Sequence, residues 1–181
     1  MAQDVIYQML QGKNKVLLFR KLGDTEEGAR LAFQTEHTFT YNRELEKVAT
    51  KDGVVIKVGE LESEVPISAI QSKKDPLFSI LQACAIAGDK VELWEVTVDE
   101  DVKNEEDKYP AVYAQGYLEN WELPAGVEDE AEINTTFQVE LEPQFGFTSL
   151  SESQELAVQY AFTEVDEQPT YGDNNEGGTG D

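Results

Sequence analysis

From Ala131 to Glu142 the side chains alternate without a break. Ala131, Ile133, Thr135, Phe137, Val139 and Leu141 form an apolar series, and Glu132, Asn134, Thr136, Gln138, Glu140 and Glu142 a polar, acidic one. Side chains repeat every 3.6 residues on a helix and every two on a strand, so this run fits only a strand with one face buried and one in water. Three other stretches repeat the pattern. Leu31 to Tyr41 puts Leu31, Phe33, Thr35, His37, Phe39 and Tyr41 on one side. Glu60 to Ile70 sets Leu61, Ser63, Val65, Ile67 and Ala69 against Glu60, Glu62 and Glu64. Lys90 to Val98 alternates Val91, Leu93, Glu95 and Thr97 with Glu92, Trp94, Val96 and Val98.

Shorter apolar runs add strands at Lys15 to Leu22, closed by Gly23-Asp24, and at Val54 to Val58, between Asp52-Gly53 and Gly59. Tyr109 to Leu123 reads as the partner of Lys90 to Val98 across a charged loop, Asp99 to Lys108, with Gly116 marking a bulge or bend. One helix stands out. Asp75 suits an N-cap, Pro76 the first helical position and Gly88 the C-terminal stop, and Leu77, Ile80, Leu81 and Cys84 make its apolar stripe. Cys84 on that stripe reads as a small buried hydrophobe. Ser151 with Gln154 can form a capping box before LAVQYAF, which predicts a short C-terminal helix. The expected fold is mainly β: a β-sandwich or partial barrel of about seven or eight antiparallel strands, with one flanking helix at about 76–87. The expected domain is 14–165, preceded by an arm at 1–13 (a weak helix or an extended segment) and followed by a disordered acidic tail at 166–181.

The segment after Tyr41 loses alternation and collects charge. Arg43, Lys47 and Lys51 are three of the chain's 14 basic residues. Their spacing of four fits either a contact arm ending at Asp52-Gly53 or a short solvated helix. The setting makes them conspicuous, because 37 acids give the 181-residue chain a net charge of −23. Such a charge opposes general binding to nucleic acid or to an anionic membrane, since both depend on Lys and Arg. Enzyme chemistry has little to stand on. The single His, His37, lies within an apolar strand face, and one His with one Cys excludes zinc sites built from those ligands. Neither a phosphate loop nor an EF-hand loop is present. No catalytic residue, cofactor or metal is expected. One cysteine suits a reducing compartment, and the N-terminus has no secretory pattern.

An ordered set of short pieces resembles a known family. GKNKVLLFR near the start, FQTEH (33–37), ATKDG (49–53), VELWEV (91–96), YAQGYLENWE (113–122) and AVQYAF (157–162) are similar to the major tail proteins, or tail tube proteins, of long non-contractile-tailed bacteriophages, the TP901-1-like group. The resemblance spans roughly residues 10–163. It implies a structural virion protein assembled in the host cytoplasm, whose hexameric rings stack into a hollow conduit for DNA delivery. It implies partners in the distal tail or initiator protein, the tape measure protein and the tail terminator, with DNA passing unbound. The family's inter-ring arm falls on Asn42 to Gly53, making Arg43, Lys47, Lys51, Asp52 and Gly53 candidate contact residues. An acidic strand face carrying Glu60, Glu62, Glu64, Glu132 and Glu140 becomes a candidate lumen surface that repels phosphate. The competing expectation, from charge alone, is an acidic DNA mimic that occupies a DNA-binding enzyme.

Overall fold

The computed structural model describes residues 7–154. In chain order the strands are β1 (Lys15–Lys21), β2 (Ala29–Arg30), β3 (Gln34–His37), β4 (Thr40–Thr50), β5 (Gly53–Ile70), β6 (Val91–Thr97), β7 (Tyr109–Leu118) and β8 (Glu132–Thr148), with helix α1 (Pro76–Ala87) between β5 and β6. All pairings are antiparallel. They join the strands in the order β2-β1-β6-β7-β8-β5-β3, with β4 also on β5. The expected mainly β fold with one helix is the fold observed.

The sheet curls into a half-barrel. In a flat sheet of this order β1 and β3 would stand about 24 Å apart, five strand spacings. Instead the Gln34 carboxamide on β3 reaches the open edge of β1. It accepts from the Leu17 N–H at 3.0 Å and donates to the Leu17 carbonyl at 2.7 Å. One side chain thereby replaces two backbone ladder bonds and satisfies an edge that would otherwise be exposed.

The concave face holds the core. Leu17, Phe19, Val65, Ile67, Leu93 and Phe137 are buried there, and α1 closes it with Leu77, Leu81 and Cys84. Asp75 works at both ends of that contact. Its Oδ1 accepts from the Leu77 N–H at 3.0 Å, capping the helix, and its Oδ2 accepts from the Ala32 N–H at 2.9 Å, pinning the chain before β3. Gly88 ends α1 in the left-handed conformation at φ 74°. A second apolar cluster on the convex face joins Val16, Leu18, Val96 and Tyr109 to Trp94 and Leu150. The centrally placed β6 is therefore buried on both sides.

Several expected elements differ in detail. Leu31 to Tyr41 is not one strand. Leu31 drops into the core, Phe33 takes φ 51°, and pairing resumes only at β3 and then β4. Residues 43–51 form paired strand and turn rather than a short helix. Val54 to Val58 and Glu60 to Ile70 are one 18-residue strand, kept continuous by a bulge in which Gly59 and Glu60 stand opposite Glu44. Ile80 is exposed on α1 instead of lying in its buried stripe. The Ala131–Glu142 series holds through Phe137, but Leu141, at φ 65°, is lifted out to solvent by a bulge before β8 rejoins β7. Gly116 is not the bulge. It is needed because a Cβ there would lie 1.8 Å from the Gln138 carbonyl oxygen. The capping box is present, with Ser151 N–H donating to Gln154 Oε1 at 2.9 Å and Gln154 N–H to Ser151 Oγ at 3.3 Å. The rest of that helix, residues 1–6 of the arm and the 166–181 tail lie outside the described residues.

Candidate assembly interface

Three features outside the core bear on what this fold contacts. The first is a projecting hairpin. β5 pairs with β8 only from Glu64 onward, so residues 53–63 are held by β4 alone. Ten residue steps at about 3.3 Å carry the tip roughly 30 Å beyond the last β5–β8 pair. The turn at Lys51-Asp52 is tightened by Thr50 Oγ1 donating to the Gly53 carbonyl at 2.7 Å, and Gly53 sits at φ 127°, where other residues are strained.

This hairpin contains every candidate arm residue. Arg43 is at its root, donating to the Gly59 carbonyl at 2.9 Å and lying 4.0 Å from the Glu142 carboxylate. Lys47 is opposite Ile56, and Lys51, Asp52 and Gly53 form the tip. The cross-strand pairs Arg43–Leu61, Leu45–Val58, Lys47–Ile56 and Ala49–Val54 place all these side chains on one face. That face continues the concave side of the sheet, because Tyr41 pairs with Ser63 in the same register. Leu45, Val54, Ile56 and Val58 are each more than half exposed. The charge expectation therefore saw half of the arm. Its apolar half lies in the run Val54 to Val58, which reads as a strand; such a run normally means burial, but no other described residue covers it.

The second feature is a polar wall. The pairs Glu64–Gln138, Pro66–Thr136, Ser68–Asn134 and Ile70–Glu132 put these side chains on the convex face, away from α1. By strand alternation Glu62 and Glu140 share it. The structure brings four of the five candidate lumen acids together, while Glu60 stands apart in the bulge. Gln138 Nε2 donates to Glu64 at 3.1 Å and to Glu119 at 2.7 Å, and Lys90 pairs with Glu140. Glu62 and Glu132 face solvent.

The third feature escaped sequence reasoning: two buried acids on β6. Glu95 accepts from Lys15 Nζ at 3.0 Å and contacts His37 Nε2 at 2.8 Å, which ties β6 to β1 and β3. Burial alone would push the Glu95 carboxyl up, but the hydrogen bonds from His37 and Lys15 outweigh it and hold it below the ordinary range. Glu92 is opposed by burial in the same way and is likewise held down, by Arg20 at 2.6 Å and the Tyr113 hydroxyl at 2.7 Å. Both are structural: each ties neighbouring strands and neither faces a nucleophile. The only hint in the sequence was an acid at each position of a strand otherwise apolar on both faces.

Residues 9–145 match the family described as phage tail tube protein. The tail tube protein of Bacillus phage SPP1 is 28% identical over 132 residues, covering 72% of this chain and 49% of the relative, so the chain spans about half that relative's length. A protein described as a tail protein in Staphylococcus phage phiMR25 is 26% identical over 146 residues, covering 80% of this chain and 76% of its own. Among solved structures, the SPP1 tail tube superposes with a TM-score of 0.71 at 22% identity, covering 83% of this chain and 86% of the other. A gene transfer agent tail with C6 symmetry superposes at 0.58 with 12% identity, covering 77% and 98%. A half-barrel with a projecting arm, and a family match across three quarters of its length, place this chain in the phage tail tube protein family.

Proposed function

We propose that the chain is the wall subunit of a TP901-1-like tail: six copies form a ring, and rings stack into a tube through which DNA passes without specific binding. The observation that carries this is the β4–β5 hairpin, a projection with exposed apolar and basic side chains that no other described residue covers. A ring of six is supported by the C6 symmetry of the gene transfer agent tail with the same fold. In this proposal Arg43, Lys47, Lys51, Asp52 and Gly53 serve the contact between rings. The convex acids Glu62, Glu64, Glu132 and Glu140, with Glu60 beside them, face the lumen, where like charge keeps the DNA backbone from sticking. Residues 14–165 form the tube unit, with 1–13 and 166–181 as appendages. An initiator or distal tail protein, a tape measure protein and a terminator are its partners. Assembly takes place in the host cytoplasm.

Electron microscopy of the full chain with its tail initiator tests this directly. Rings and tubes are expected, and a small particle that binds a basic partner instead would favour the DNA mimic. Combined Arg43→Glu, Lys47→Glu and Lys51→Glu changes should shorten or abolish tubes, so normal-length tubes would remove these bases from the ring contact. A ring map with Glu64 and Glu132 on its outer surface would overturn the lumen assignment.

A further inference from the structure

The uncovered face of the arm has a counterpart on the same chain. β7 and β8 carry their concave side beyond the region that α1 covers. The pairs Val112–Phe145 and Pro110–Phe147 set four side chains on that side, where Phe145 is 74% and Phe147 54% exposed. Together with Lys15 and Thr97 they line a shallow apolar shelf. The loop from Asp99 to Asp107 opens from the same end of the β6–β7 hairpin, is rich in acids, and rests on the convex side, where the Tyr109 hydroxyl donates to Glu100 at 2.8 Å. Its Lys103 is already held by Glu100 and Asp107 at 3.0 and 3.2 Å. Asp101 and Glu105 remain exposed beside it.

The arm has the opposite character. Residues 43–58 contain four bases against three acids in a chain of net charge −23. Their concave face presents Leu45, Val54, Ile56 and Val58 at 53–66% exposure. A two-stranded hairpin is marginal in water without a surface to lie on. The arm cannot lie on its own shelf: its root is fixed there, with Tyr41 and Phe145 ring centroids 6.1 Å apart, and the paired strands run outward. No other described residue supplies the complement, and the charge of the arm points to a partner as acidic as this chain.

We propose that the apolar face of the arm of one copy seats on the Phe145–Phe147 shelf of the next copy, with Lys47 and Lys51 turned to its Asp99–Asp107 loop; this inference rests on the tube assignment. The two patches differ, so the contact is heterologous and leaves a free arm at one end and a free shelf at the other. That is the geometry of an open polymer.

Two full-length variants, Ile56→Cys and Phe147→Cys, are mixed, assembled and treated with a short bismaleimide. Cys84 is buried and serves as the unlinked background. A cross-linked dimer is expected from the mixture and not from either variant alone. Pairing Ile56→Cys with Ser68→Cys on the convex wall is the competing contact. Tubes that give this second dimer, or no Ile56–Phe147 dimer, overturn the proposal while leaving the tube assignment intact. A parent chain that forms no tubes sinks both. Phe147→Ser, at a half-exposed site, should keep the monomer's melting temperature and cut tube yield by roughly tenfold or more. Wild-type tube yield from a folded Phe147→Ser chain also overturns the shelf.

Discussion

Gly116 shows at the scale of one residue what the sequence could and could not say. A glycine inside a strand reads as a bulge or bend, and the sequence cannot say what the missing side chain makes room for. The answer is approach: the Gln138 carbonyl occupies the space where a Cβ would be. Gly116→Ala must push β7 from β8 in the middle of the sheet. It should cost at least about 2 kcal/mol, read as a lower midpoint in urea unfolding; an unchanged midpoint would mean the strands part easily there. Glu95 makes the complementary point, because an acid on an alternating strand reads as solvent-facing, yet it is buried under His37 and Lys15. Its carboxyl is held below the ordinary value of 4.5 in the fold. The unfolded chain therefore takes up a proton first as pH falls. The stability that Glu95 contributes is complete above about pH 4.5 and is lost as pH drops through the depressed value. Glu95→Gln should lower the melting temperature at neutral pH and flatten its fall between about pH 5 and about pH 3 relative to wild type. Parallel curves would show that other carboxylates dominate acid unfolding.

At the scale of elements, both ends of α1 were legible because their signals are local: Asp75, Pro76 and Gly88 fix them within the residues that form the helix, though Ile80 of its expected stripe is exposed. The strands were legible wherever one face is buried and one is wet, as in β8 through Phe137. Their breaks were not. Phe33 and Leu141 leave their series because of contacts made far along the chain, and no neighbour in sequence announces a left-handed φ. The arm is the sharpest case. Val54, Val55, Ile56 and Val58 make the apolar run of a buried strand, yet all four are more than half exposed. Strand pattern without a covering layer is what a segment shows when its partner is another molecule. Among the described residues the arm beyond its root has only β4–β5 hydrogen bonds and no covering layer on either face. Its amides at 44–50 and 53–61 should exchange far faster than those of β6 and become protected in tubes. Exchange as slow as that of β6 in the monomer would show that the arm needs no partner.

For the whole molecule, charge and contact oppose each other. Each subunit carries −23, so in the proposed tube a ring of six, and every added ring, would gather like charge within a few nanometres. The convex wall concentrates part of it, with Glu62, Glu64, Glu132 and Glu140 on one sheet face. The arm and shelf supply attraction of a different kind, apolar area with a few basic and acidic groups at its margin. Salt distinguishes the two. It screens repulsion between acidic walls over a Debye length, which shrinks from about 30 Å at 0.01 M to about 8 Å at physiological ionic strength. It leaves apolar burial almost untouched. If assembly is limited by repulsion and driven by the apolar face, tube growth followed by light scattering should be slow at about 0.01 M salt and several-fold faster at about 0.15 M. Arg43→Gln with Lys47→Gln should leave that direction unchanged. If Lys47, Lys51 and the Asp99–Asp107 loop instead supplied most of the attraction, salt would slow growth. That outcome would move the weight of the contact from the apolar face of the arm to its charges.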